Sequence, residues 1–401
     1  MLRKILALAL AVLMVASFST VFTSCEMGSG DFKVGFIFLH DENSTYDLNF
    51  INAVKTAQKN LGLTDDQVII KVNVPEGQEC YDAAADLVDQ GCSLIFADSF
   101  GHEPYMIQAA KTFKDVQFCH ATGTRAHTEG LSNYHNAFAS IYEGRYLAGI
   151  AAGMKLNQMI ADGKFKADEA KIGYVGAYTY AEVISGYTSF FLGARSVCPT
   201  ATMEVSFTGQ WYDEAAEKEA ANNLITNGCK LISQHADSMG APTACEAAGV
   251  PNVSYNGSTI AAGPNTFIVS SAINWAPYME FIISSVKNGT EIPADWCKGL
   301  EAGSVVISEI NENVAAAGTK EALETAKTGL INGTIHVFDI NTFTVNGAKL
   351  TDDHMADVDT DDAYTPDTKV VFDGYFHESE MRSAPYFDLR IDGIKLLNEK
   401  Y

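Results

Sequence analysis

The chain has 401 residues, with 27 Lys and Arg against 50 Asp and Glu, a formal net charge of −23. Apolar types make up 47% and aromatics 10%, which excludes a disordered chain, a fibrous repeat and a disulfide-stapled miniprotein. Nucleic-acid binding and docking to anionic lipid both rest on clustered Lys and Arg, so the acidity argues against either partner.

Arg3 and Lys4 precede an apolar run from Ile5 to Ala16, and small residues lead to Ser24 and Cys25. This describes a secretory signal over residues 1–24 rather than a membrane span, which needs about 20 apolar residues. Phe22-Thr23-Ser24-Cys25 resembles a bacterial lipobox. Cys25 is therefore expected to carry lipid, with residues 25–32 as a flexible tether. The expected location is extracytoplasmic, anchored to the cell membrane. Trimming removes two basic residues and no acid, leaving a net charge of −25 over 377 residues. The seven remaining cysteines are odd in number and lack Cys-x-x-Cys spacing, so they read mostly as reduced, small buried hydrophobes.

From Lys33 onward the chain is written twice. Lys33-Val34-Gly35-Phe36 is echoed by Lys171-Ile172-Gly173-Tyr174, Gln90-Gly91-Cys92 by Asn227-Gly228-Cys229, and Ala97-Asp98-Ser99 by Ala236-Asp237-Ser238. Gly35 lies 57 residues before Cys92, and Gly173 lies 56 before Cys229. In the first half, strands near Lys33–Leu39, Val68–Val74, Ser93–Ala97 and Val116–His120 alternate with helices near Asp47–Leu61, Glu79–Gln90 and Pro104–Phe113. A long helix, about Tyr142 to Ala161, follows, its Gly149 and Gly153 spaced for close helix packing. In the second half, strands near Lys171–Val175, Met203–Phe207, Lys230–Gln234 and Asn252–Asn256 alternate with helices near Ala181–Ser196, Asp213–Asn227 and Ala241–Gly249. Thr266–Ser271 reads as a further strand. Short apolar runs between helical patterns imply parallel sheets covered on both faces. The expected fold is α/β, with two doubly wound lobes facing one cleft. Ligands of such sheets bind beyond the carboxyl ends of the strands.

No phosphate loop, zinc-protease motif, nucleophile elbow or dinucleotide fingerprint occurs, so neither a cofactor nor enzymatic activity is expected. His120, His127 and His135 lack helical ligand spacing, and Asp357-Val-Asp359-Thr-Asp361 departs from a calcium loop at Asp362 and Thr368. No metal is expected. The strand ends instead gather Tyr46, Phe100, Tyr178, Tyr180, Trp211, Tyr212, Asn256, Asn274 and Trp275. Flat aromatic walls suit a planar ring, and amides can read its edge.

Several segments resemble the basic membrane protein family, the purine-nucleoside-receptor type of substrate-binding lipoproteins that serve ABC transporters. They are Val74-Pro75-Glu76-Gly77, Ser99-Phe100-Gly101, Tyr142-Glu143-Gly144-Arg145-Tyr146, Trp211-Tyr212-Asp213, Gln234-His235-Ala236-Asp237-Ser238 and Asn274-Trp275-Ala276-Pro277-Tyr278. The resemblance implies a type I periplasmic-binding-protein fold whose lobes are joined by a three-strand hinge. It places residues 33–140 plus about 272–304 in the first lobe and 141–271 plus about 305–340 in the second. Residues 341–401 read as a β-rich extension. It further implies capture of a purine nucleobase or nucleoside and delivery to an ABC permease by a monomer. Tyr46, Phe100, Trp211 and Trp275 are expected as walls, and Asp237, Asn256 and Asn274 as polar readers. The nucleoside receptors place a lysine near Asn274, so its absence here weighs against a nucleoside. Ser44 also stands where the branch carries Trp. Alternatives are a binding protein for a sugar or another heterocycle, a surface or signalling lipoprotein, or a nucleoside-acting enzyme.

Overall fold

The computed structural model describes residues 32–358 and 366–399. The expected signal, Cys25 and Asp359, Asp361 and Asp362 lie outside them. The first half runs β1 (Lys33–Ile37), α1 (Thr45–Leu61), β2 (Val68–Lys71), α2 (Gln78–Asp89), β3 (Cys92–Ala97), α3 (Glu103–Thr112), β4 (Gln117–Ala121), α4 (Ala126–Glu129) and β5 (Tyr134–Ala139). The second runs α5 (Ile141–Ala161), β6 (Lys171–Gly176), α6 (Ala181–Val197), β7 (Thr202–Phe207), α7 (Glu214–Thr226), β8 (Leu231–His235), α8 (Gly240–Ala248), β9 (Asn252–Tyr255) and β10 (Phe267–Ile273). Then come α9 (Ala276–Asn288), β11 (Asp295–Lys298), β12 (Val305–Ile307) and α10 (Thr319–Ile331). Short strands β13 (Met355–Ala356), β14 (Thr368–Lys369), β15 (Val371–Phe372), β16 (Tyr375–Phe376) and β17 (Ile394–Leu396) finish the described chain.

One sheet has the order β11-β5-β4-β3-β1-β2 and the other β12-β10-β9-β8-β6-β7-β17. Strands β1 to β5 of one correspond to β6 to β10 of the other, so the sequence echoes are two copies of one winding. The doubled glycines have physical reasons. A Cβ on Gly35 would come within 2.8 Å of Leu87 on α2, and one on Gly173 within 2.9 Å of Leu224 on α7. Gly91 and Gly228 both turn left-handed, at φ 87° and 91°, where a side chain would strain the backbone.

Local sequence sets each element. Helix α1 starts at Ser44, whose side chain accepts from Asp47 N, and ends at left-handed Gly62. Between them Phe50, Ile51, Val54 and Ala57 form the buried face. Helix α5 lies against α6 so closely that a Cβ on Gly149 would fall 2.0 Å from the Phe190 carbonyl oxygen. Before residue 341, six elements escaped the sequence reading: α4, β5, α9, β11, β12 and α10. Strand β5 carries His135 and Asn136, yet all six residues are buried. Helix α9 carries Pro277 in its first turn, where the missing N–H costs no helical hydrogen bond.

The chain passes between lobes three times, at Ser140, at Asn274–Trp275, and between Lys298 and Val305. These crossings bond to one another: Ser140 N donates to Lys298 O at 3.0 Å and Asn274 N to Ser304 O at 2.8 Å. The C-terminal segment touches both lobes. Strand β17 pairs in parallel with β7 of the second lobe, while Ser383 N and Oγ donate to Asp295 Oδ1 of the first at 2.8 and 2.6 Å. All seven described cysteines are free, and only Cys297 is partly exposed. Among the described residues, no helix is long and apolar enough to cross a membrane.

Candidate ligand-binding site

Between the sheets' carboxyl ends lies a small cavity. The first lobe supplies Leu39 and His40 after β1, Tyr46 and Asp47 from α1, Ser99 and Phe100 after β3, and Thr122 after β4. The second supplies Glu182 after β6, Trp211 after β7, His235 and Asp237 at the end of β8, and Tyr255 and Asn256 at the end of β9. Thr122 and Asn256 hold equivalent places and both turn left-handed, at φ 65° and 63°. A β-branched Thr rarely adopts that conformation, and such strain gathers at functional sites.

The lobes are closed on each other. Thr45 N, an otherwise unpaired donor at the start of α1, reaches the Asp237 carbonyl at 3.0 Å. Phe100 stacks on Tyr180 across the gap at 4.9 Å between ring centroids, and His40 faces Tyr212 at 5.6 Å. Behind Phe100, Glu76 accepts from Ser99 Oγ at 2.5 Å and Gly101 N at 2.7 Å, which fixes the loop. Trp211 packs edge-on against Tyr178 at 5.0 Å. Tyr46 spends its hydroxyl on the Asp98 carbonyl at 2.7 Å and offers only its ring.

The cavity is acidic: Asp47, Glu182 and Asp237 line it, and neither Lys nor Arg does. Burial first, then the charges of Asp47, Glu217 and Glu182, push the Asp237 carboxyl well above the usual range. Asn256 Nδ2 donates to it at 3.5 Å. Burial acts to raise Asp47 too, but hydrogen bonds from His40 and Ser44 outweigh it and hold the group below its ordinary value. Beneath the floor Arg145 is fully buried, donating to Ser254 O, Ser271 Oγ, Tyr174 OH and Ser233 Oγ at 2.9–3.3 Å. Its guanidinium lies 5.2 Å from the Tyr255 ring centre. The Tyr255 hydroxyl is buried without a hydrogen-bond partner.

Of the seven expected binding residues, Tyr46, Phe100, Trp211, Asp237 and Asn256 meet at this cavity. Asn274 and Trp275 do not. Trp275 is 1% exposed and stacks on Phe50 at 4.5 Å inside the first lobe. Asn274 belongs to the hinge: its Nδ2 donates to Gly303 O at 3.1 Å and its Oδ1 accepts from Ala276 N at 3.2 Å. The sequence reading named neither Glu182 nor Tyr255, the one hidden as an ordinary acid in a helix's first turn and the other as a strand residue. Asp98, the echo of Asp237, turns away from the cavity and accepts from Leu39 N at 3.1 Å.

The chain matches the Bmp family, described as ABC transporter substrate-binding protein PnrA-like, over residues 39–340. It is 33% identical over 246 residues to a putative ABC transporter glucose-binding protein, TsgA13, of Haloferax volcanii, covering 61% of this chain and 59% of that relative. It is 32% identical over 276 residues to purine-binding protein BAB2_0673 of Brucella abortus, covering 68% and 74%. In structure it resembles a solute-binding protein of an ABC transporter system from Aeropyrum pernix K1, with a TM-score of 0.63 at 16% identity over 77% of this chain and 93% of that one. The two doubly wound lobes and three crossings are those of a type I periplasmic-binding-protein fold. The chain belongs to the Bmp family of PnrA-like ABC transporter substrate-binding proteins.

Proposed function

We propose that the cleft captures a purine-like heterocycle, nucleobase or nucleoside, outside the cytoplasm and delivers it to an ABC permease. The carrying observation is the cavity's composition: aromatic faces from Phe100 and Trp211, polar groups at Asp237 and Asn256, and no cation on the wall. Such a site suits a neutral planar ring with hydrogen-bond donors on its edge and disfavours an anion. The purine-binding relative from Brucella abortus supports this reading. A ligand gripped by both lobes stabilises the closed arrangement by the sum of both sets of contacts.

A sugar is the second reading, supported by the glucose-binding name of the Haloferax relative. Thermal melting of the intact protein with adenine, adenosine, hypoxanthine and glucose separates the two. At 100 times the dissociation constant a bound purine should add about 2.7 kcal/mol of stability, and glucose should add none. A shift with glucose alone overturns the purine reading.

Lipid attachment at Cys25 completes the proposal. Cys25→Ser should move the protein from the membrane fraction to the soluble fraction. Continued membrane association of that variant overturns the anchor.

A further inference from the structure

We propose that the C-terminal segment beyond residue 340 builds an outer chamber on the cleft, which takes a neutral polyhydroxylated substituent carried by the heterocycle in the inner cavity. This rests on the purine-like reading above. The family match ends at residue 340, so the chamber wall lies outside the matched region.

An open groove lies outside the inner cavity and shares Phe100, Thr122 and Glu182 with it. A molecule seated inside therefore passes those three side chains on its way out. The far wall comes from the C-terminal segment, through Arg382, Tyr386, Asp388 and Arg390.

That wall is fixed rather than draped. Arg382 is 7% exposed and donates to the carbonyls of Val358, Ala384 and Pro385 at 3.0–3.2 Å. Phe387 stacks on Phe338 at 4.3 Å. Ser383 is tied to Asp295 in the first lobe and β17 to β7 in the second. The segment spans the flank of the closed cleft and holds its side chains against both lobes.

The chemistry selects the substituent. Arg382 spends its donors on backbone carbonyls, and Arg125 is paired with Glu129. Carboxylates of Glu103, Glu182, Asp388 and Glu399 also line the groove, so a phosphate meets more repulsion than attraction. Adjacent hydroxyls suit this set, because each can donate to a carboxylate and accept from the exposed Arg390 guanidinium, which spends only Nη1 on the Asp388 carbonyl at 2.8 Å. Asn274 cannot do this work, since its amide is committed to Gly303 and Ala276.

The test is titration calorimetry of the intact protein with adenine, adenosine and adenosine monophosphate, repeated on the double variant Asp388→Ala, Arg390→Ala. Both side chains are exposed, so the fold should survive, and an unchanged melting temperature checks that. Adenosine should bind the unaltered protein about tenfold more tightly than adenine, the yield of one or two charged hydrogen bonds. The double variant should lose that margin while its affinity for adenine stays within about twofold. Equal binding of adenine and adenosine, or a margin that survives the double variant, overturns the chamber alone. Tighter binding of the monophosphate overturns the polyol assignment. Binding of none of the three overturns the chamber together with the purine reading.

Discussion

Replacing Trp275 by alanine should cost about 3–5 kcal/mol of folding stability, the usual loss for a large aromatic cut from a packed core. The ring is 1% exposed. Phe50 stacks on it at 4.5 Å, and Phe138 and Tyr278 meet it edge-on, each at 6.1 Å. Trp211→Ala should do the opposite. Its ring is half-buried at the cleft wall, so stability should change little while ligand affinity falls about 30-fold, as for an aromatic anchor worth about 2 kcal/mol. Urea unfolding of both variants, beside calorimetry with whichever ligand shifts the melting temperature, reads the contrast. A Trp275→Ala protein of ordinary stability that no longer binds would return Trp275 to the site.

That pair of tryptophans shows what a sequence can and cannot place. Alternating apolar runs, helical periodicity and doubled glycines were enough for two parallel lobes, because burial on both faces leaves a strong periodic record. Strand β5 was lost because its polar residues are satisfied internally. His135 Nε2 meets Gln117 Oε1 at 2.8 Å, and Asn136 Oδ1 accepts from Ala126 N at 2.7 Å. At the cleft, strand ends named the right loops, but not which way each side chain turns. Asn274 and Trp275 follow a strand as Asp237 does. The chain there crosses between lobes, and the crossing commits the amide to the hinge and the indole to the core. Where the charge sits is equally hidden. Net charge does not say where acids gather, and Asp47, Glu182 and Asp237 bring them into the cavity. Only the fold reveals that, since the three are spread over 190 residues of chain.

Each buried acid held above its ordinary value should lower stability at neutral pH relative to mild acid. Glu217 is fully buried and Glu378 is 1% exposed. Burial pushes each up to about 7, against 4.5 for an ordinary glutamate. A carboxyl of this kind loses its proton more readily in the unfolded chain than in the folded one. Its penalty is absent below about pH 4.5, grows as pH rises toward 7 and is constant above. For Glu217 the full penalty is roughly 3 kcal/mol. Asp47 and Asp295 work the other way, since both are held below the usual value and lose their contribution only as pH falls below about 3.8. Buried His120 and His135, held down to about 3 and 4 by burial, work against the raised acids, because unfolded imidazoles take up protons below about pH 6.5, so a single substitution rather than the whole profile reads the carboxyl penalty. Glu217→Gln isolates one group, because the amide resembles the protonated acid in shape and keeps a carbonyl for Ser238 N, which Glu217 holds at 3.2 Å. The variant should match the unaltered protein at pH 4.5 and exceed it at pH 8, measured by urea unfolding at both. An equal difference at the two pH values would exclude titration of Glu217 as the cause. The consequence reaches the cleft, because Ser238 adjoins Asp237. Ionising Glu217 places a negative charge close behind the Asp237 carboxyl on the cavity wall and opposes ionisation of Asp237 itself.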